Sequence, residues 1–151
     1  MGGREDRGDS RPTACRNIGE CITADNSQYV PGVCNIGPAE IRRRMQSGWL
    51  GAGLTVLLWA VFFIFRVPAP WRLFLFLPAM IGATGFFQAA LHFCAGFGMR
   101  GVFNFGSEVG KTDTVEQAEF RRVDRRKARL IGLSSALVGI AVAIAGYFLS
   151  F

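Results

Sequence analysis

The three longest apolar stretches of this sequence contain no charged residue at all. That absence removes any carboxylate proton relay from membrane depth, because intramembrane transfer of protons runs on Asp, Glu and His chains. Histidine is nearly missing too: His92 is the only one among 151 residues. The sequence has no P-loop, no Gly-x-Ser-x-Gly elbow and no His-Glu-x-x-His pair, so no catalytic motif proposes a nucleophile with its base. Four cysteines are present, but none form a Cys-x-x-Cys pair, the spacing that most directly marks zinc or redox sites. The N-terminus, MGGREDRGDSRPTACRN, lacks the early apolar core of a secretory signal. Asp6 stands where an N-myristoylation signal carries Ser or Thr. No internal repeat and no low-complexity tract occurs.

What is there is apolar and unevenly distributed. Half of the residues are hydrophobic, and the mean hydropathy is +0.28. The first 44 residues are polar and charged, while three later blocks are apolar on every face. A soluble domain interleaves apolar and polar residues at helix or strand period; blocks apolar all round suit lipid as the solvent. The expected fold class is therefore an all-α membrane protein: a helical hairpin plus a third transmembrane helix preceded by a basic juxtamembrane helix.

Residues 1–41 read as a polar, cysteine-containing, loosely structured tail, rich in Gly, Pro, Asp, Ser and Asn. Pro38 with Glu40 behind it suits a helix start. The hairpin occupies residues 42–99, with a first span near 46–65 and a second near 73–95. Trp49 is placed to anchor at the interface. Pro68 and Pro70 end the first helix, and the short RVPAPWR link cannot cross a bilayer, so the two spans reverse direction. Pro78 should loosen the first turns of the second span. Gly96 and Gly98 should break it after Cys94. Residues 100–129 form a basic loop and helix, with Thr114 and Gln117 spaced as a capping box and Glu116 and Glu119 in the first turns. Residues 130–151 form the third span, long enough to cross with some tilt.

Charge sets the orientation. The formal net charge is +6. Arg42, Arg43 and Arg44 precede the first block. Arg100, Lys111, Arg121, Arg122, Arg125, Arg126, Lys127 and Arg129 lie between the second and third. Three spans put both groups on one side, against only Arg66 and Arg72 on the other. The positive-inside rule places the rich side in the cytoplasm, with the N-terminus inside and the C-terminus outside. The expected location is a bacterial inner membrane. Basic residues that flank membrane blocks in this way argue for topology and lipid contact rather than nucleic acid.

Four constellations are candidates for function. Thr84, Gln88 and His92 recur at four-residue spacing on one helical face; polar groups at that depth should meet other helices, a water-filled space, or a proton, metal or ligand. Cys15, Cys21, Cys34 and Cys94, with His92, form a thiol or metal set on the cytoplasmic side, where disulfides are disfavoured. Small residues recur at helical spacing, Gly82 and Gly85 in block two and Gly132, Ser135, Ala136, Gly139 and Ala143 in block three, and let helix backbones approach closely. Arg121, Arg122, Arg125, Arg126, Lys127 and Arg129 suit anionic lipid head groups, or simply fix topology.

The stretch GPAEIRRRMQSGWLGAGLTVLLW, followed by WRLFLFLPAMIGATGFFQAALHFC, resembles the YgaP-like family of small inner-membrane proteins of unknown function. The positions carrying the resemblance are Gly82, Thr84, Gly85, Phe86 and Cys94, and it covers roughly residues 37–97. Cys94 comes later than in the family pattern, and Ala95 stands where a proline usually follows. Some members are fused to rhodanese domains, which implies thiol chemistry for those; no activity carries over to this chain. The resulting expectation is a non-enzymatic membrane protein, of unknown cofactor, that packs in the lipid bilayer against a membrane-protein partner or its own copies. The alternatives are a thiol- or metal-dependent sensor or carrier and a small oligomeric transporter.

Overall fold

A computed structural model describes residues 29–106 and 108–149. The chain is mostly helical. Its elements in order are α1 (Pro38–Ile64), the short α2 (Ala69–Arg72), a 3-10 turn (Leu73–Leu75), α3 (Phe76–Ala90), the short α4 (Ala95–Arg100), β1 (Val102–Phe103), β2 (Asp113–Thr114) and α5 (Ala118–Phe148). Three stretches are long and apolar enough to cross a membrane: Pro38–Ile64, Ala69–Ala90 and Ala118–Phe148. At 1.5 Å per residue α1 and α5 reach about 40 and 46 Å, beyond the roughly 30 Å hydrocarbon core. Their arginine-bearing N-terminal ends therefore project past it.

α3 lies in the middle. It packs against α1 on one side and α5 on another, while α1 and α5 hardly meet. The α1–α3 contact is a glycine interlock. A Cβ added at Gly85 would lie 2.5 Å from Gly48 N, and Gly51 and Gly82 oppose each other as closely. Only hydrogen side chains permit that backbone approach. The α3–α5 contact repeats the idea with one glycine, since a Cβ at Gly139 would come within 3.0 Å of Phe76 and Met80.

Helix ends follow from local chemistry. α1 opens with Pro38 in its first turn and Glu40 behind it. Its C-terminus closes with Arg66 N–H on Phe63 O (3.2 Å) and Val67 N–H on Phe62 O (3.0 Å), the paired bonds of a Schellman motif. Arg66 takes the left-handed position, φ 47°, that glycine usually holds. Pro78 cannot donate to the preceding turn, and the turn before α3 is accordingly the 3-10 stretch.

Three boundaries depart from the sequence expectation. Residues 29–37, read as tail, fold onto the helices: Ile36 bridges Asn104 in parallel and Val30 bridges Cys34. α3 stops at Ala90 rather than near Cys94, and Gly96 and Gly98 lie inside α4 instead of breaking a helix. The cause is a second Schellman motif, with His92 N–H on Ala89 O (3.3 Å) and Phe93 N–H on Gln88 O (3.0 Å), and His92 left-handed at φ 50°. Finally, Thr114 belongs to β2, paired antiparallel with Val102, and is no helix cap. α5 starts at Ala118 behind Gln117, with no side-chain capping bond, and only Glu119 is in its first turn. Strand pairing with β1 has taken Thr114, the residue the capping box needed as its cap.

Candidate functional site

The described polar groups gather at one end of the helix row, in a cap built from residues 29–37 and 91–117. Phe93, Ala128 and Ile131 form its apolar floor, with Phe87, Leu91 and Ala95 packed on them. Above that floor five polar residues are almost wholly buried: Asn35, Glu40, Gln88, Asn104 and Asp124. Burying so many polar groups is tolerable only when each finds partners, and four of them do.

Asn35, 0% exposed, works as a clasp. Its side-chain Oδ1 accepts from Cys94 N–H (2.7 Å) and its Nδ2 donates to Cys94 O (3.1 Å). Its backbone donates to His92 O (3.2 Å) and accepts from Asn104 N–H (3.0 Å). Asn104 in turn accepts from Gly106 N–H (2.9 Å) and donates to Glu108 O (2.9 Å). Glu40 accepts from Gly110 N–H (2.9 Å) and pairs with Arg44 at 3.4 Å. Asp124 accepts from Tyr29 O–H (2.6 Å) and Gly32 N–H (2.7 Å), and one turn on Lys127 donates to Val33 O (2.8 Å) while its ammonium sits 5.0 Å from the Phe93 ring centre. Burial, and then the Asp124 bond, push the Tyr29 hydroxyl's ionisation upward, so it stays a donor. Asn35, Glu40, Asn104 and Asp124 thus each hold a stretch of loop backbone in the cap.

Three buried side-chain atoms have no hydrogen-bond partner among the described residues: Gln88 Oε1, His92 Nδ1 and Arg44 Nε. All three lie toward the capped end of the α1–α3 hairpin, where Gly85 packs on the Arg44 carbonyl.

The sequence candidates distribute as follows. Cys15 and Cys21 lie outside the described residues. Cys34 and Cys94 are both buried thiols, and the described residues contain no group of three His, Cys, Asp or Glu able to hold a metal. The Thr84–Gln88–His92 stripe is broken: Thr84 donates its hydroxyl to Met80 O within its own helix (2.7 Å), Gln88 is buried, and His92 has left the helix through its left-handed turn. Gly82, Gly85, Ser135, Gly139 and Ala143 are buried on helix-packing faces; Ser135 donates to Ile131 O (2.8 Å). Gly132 has nothing within 4 Å of a Cβ position, and Ala136 is half-buried. Arg121 and Lys127 turn toward the cap, Arg121 donating to Glu116 O (3.1 Å). Arg122, Arg125, Arg126 and Arg129 stay exposed.

Sequence reasoning missed Asn35, Asn104, Asp124 and Tyr29, and gave Glu40 only a helix-dipole role. The one available signal was Asp124: a lone acid inside the run RRVDRRK.

No protein-family model matches the chain, and neither the curated proteins nor the solved structures yield a match. The fold and the cap define a class: a multi-pass membrane protein of three apolar helices, sealed at one end by a small polar cap.

Proposed function

We propose that this chain is a non-enzymatic accessory subunit of the bacterial inner membrane, its basic cap cytoplasmic, that packs sideways against a larger membrane protein. The observation that carries the reading is the pair of outward glycines. Gly53 on α1 and Gly132 on α5 are exposed and meet nothing within 4 Å of a Cβ position. A glycine inside a helix costs about 1 kcal/mol relative to alanine. Gly48, Gly51, Gly82, Gly85 and Gly139 return that cost through close packing within the chain; Gly53 and Gly132 do so only if another helix lies on them. The reading is further supported by the cap chemistry, in which Asn35, Glu40, Asn104 and Asp124 are consumed in holding loops. The YgaP-like resemblance of the hairpin is consistent with it.

The test is association in mild detergent, with the protein at its native level. Wild-type protein should migrate as a complex with a larger membrane protein. Gly53→Leu or Gly132→Leu should shift it to the size of the isolated chain while leaving its own melting temperature unchanged. A wild-type protein recovered only as a monomer contradicts the proposal, as does a complex indifferent to both substitutions.

A further inference from the structure

The basic residues of α5 divide by face. Arg121, Asp124, Lys127 and Ala128 turn toward the cap. Arg122, Arg125, Arg126 and Arg129 are exposed, and their spacing of three, four and seven residues puts them on one stripe. No ion pair among the described residues engages any of the four. Continued by the same spacing, that stripe runs through Leu130, Leu133 and Leu137, which are also exposed. One face of one helix therefore passes from bare leucine to bare arginine.

From this we infer that Arg122, Arg125, Arg126 and Arg129 form a binding site for an anionic phospholipid head group. Leucines exposed on a membrane-spanning helix are covered by acyl chains. Whatever caps those chains lies directly over the next turns of the same face. From Arg129 to Arg122 the helix rises about 10 Å, comparable with the head-group region above the hydrocarbon. Guanidinium is the side chain best matched to a phosphate, because it offers a planar fork of donors to two oxygens. The lipid's glycerol and chains then continue down the leucine stripe, so one molecule satisfies both halves of the face. A soluble phosphate would use the arginines and leave the leucines unexplained.

The experiment starts from purified, delipidated full-length protein in detergent, so that insertion orientation plays no part. Phosphatidylglycerol or phosphatidylcholine is titrated in, and bound lipid is counted by native mass spectrometry. Wild type should retain phosphatidylglycerol in preference to phosphatidylcholine. Replacing all four arginines by glutamine should weaken phosphatidylglycerol binding roughly tenfold or more, given about 1 kcal/mol per basic residue near the surface. The single variant Arg125→Gln should fall between, and covers the case where the fourfold variant does not fold. Arg42→Gln with Arg43→Gln, equal in kind but on α1, should bind like wild type. Equal binding of the two lipids by wild type overturns the inference. So does unchanged phosphatidylglycerol binding after the α5 replacements, or equal loss from the α1 replacements.

Discussion

Asn35 shows how one side chain can set a local fold. Both of its amide atoms are taken by the backbone of Cys94, at a point where the chain has just left α3 and not yet entered α4. Asn35→Ala would leave the buried Cys94 N–H without a partner, while the Cys94 carbonyl keeps the bond from Gly98 N–H (2.9 Å). An unpartnered buried donor costs about 1–3 kcal/mol, so the variant should lose stability by that amount, read as a drop in melting temperature in detergent. An unchanged midpoint would show that water replaces the clasp. His92 offers the opposite sign. Its left-handed backbone costs a residue with a Cβ about 1–2 kcal/mol, partly offset in any glycine replacement by the entropy of the unfolded chain. His92→Gly should therefore hold or raise stability by up to about 1 kcal/mol. A clear loss would assign the imidazole, with its unpartnered Nδ1, a stabilising contact.

At the scale of the element, the three apolar helices and the reversal at Pro68 were legible because hydropathy acts over twenty residues at once and needs no tertiary information. The helix ends were legible only where local chemistry decides them. Pro38 with Glu40 is a local signal, and the helix does start there. The end of α3 is not local: the bond from Asn35 to the His92 carbonyl crosses 57 positions of sequence, counted from the paired residue numbers, and histidine, although enriched among left-handed residues other than glycine, takes that conformation only occasionally. Thr114 misled for the same reason, since its pairing with Val102 depends on where β1 lies. The small-residue rows were legible as packing faces, but their pattern cannot tell a partner within the chain from one outside. The structure separates them. Gly85→Leu would drive a side chain into the α1 backbone at Gly48 and Arg44, where nothing flexible can move aside. The hairpin should open, with loss of several kcal/mol or failure to accumulate, while Gly53→Leu leaves the isolated protein's melting unaffected. Thermal melts of both variants side by side check this; equal midpoints would contradict the glycine interlock.

The whole molecule is asymmetric along its helices. One end carries the buried polar cap and, among the described residues, nearly all of the arginines. The other carries Trp71, Phe65 and Phe74 exposed beside Arg72, the mix of aromatic and basic side chains expected at a membrane interface. Three spans joined to such a cap must place residues 29–37 and the segment between α3 and α5 together, and Leu149 on the far side. The cap makes that pairing a matter of structure as well as charge, because Asn35 ties the two segments together through His92, Cys94 and Asn104, and Asp124 ties the first of them to α5. Thr112, exposed just before β2, is a suitable reporter position on the cap side.

Site-directed labelling in intact bacterial cells tests the account most directly. A cysteine placed at Thr112 and another at Leu149, each in a background with the four native cysteines replaced by alanine or serine, is challenged with a membrane-impermeant maleimide. Leu149→Cys should be labelled from outside, and Thr112→Cys only after the cells are opened. Labelling of both from the same side would contradict three spans. Labelling of Thr112→Cys alone in intact cells would place the basic cap outside and overturn the orientation.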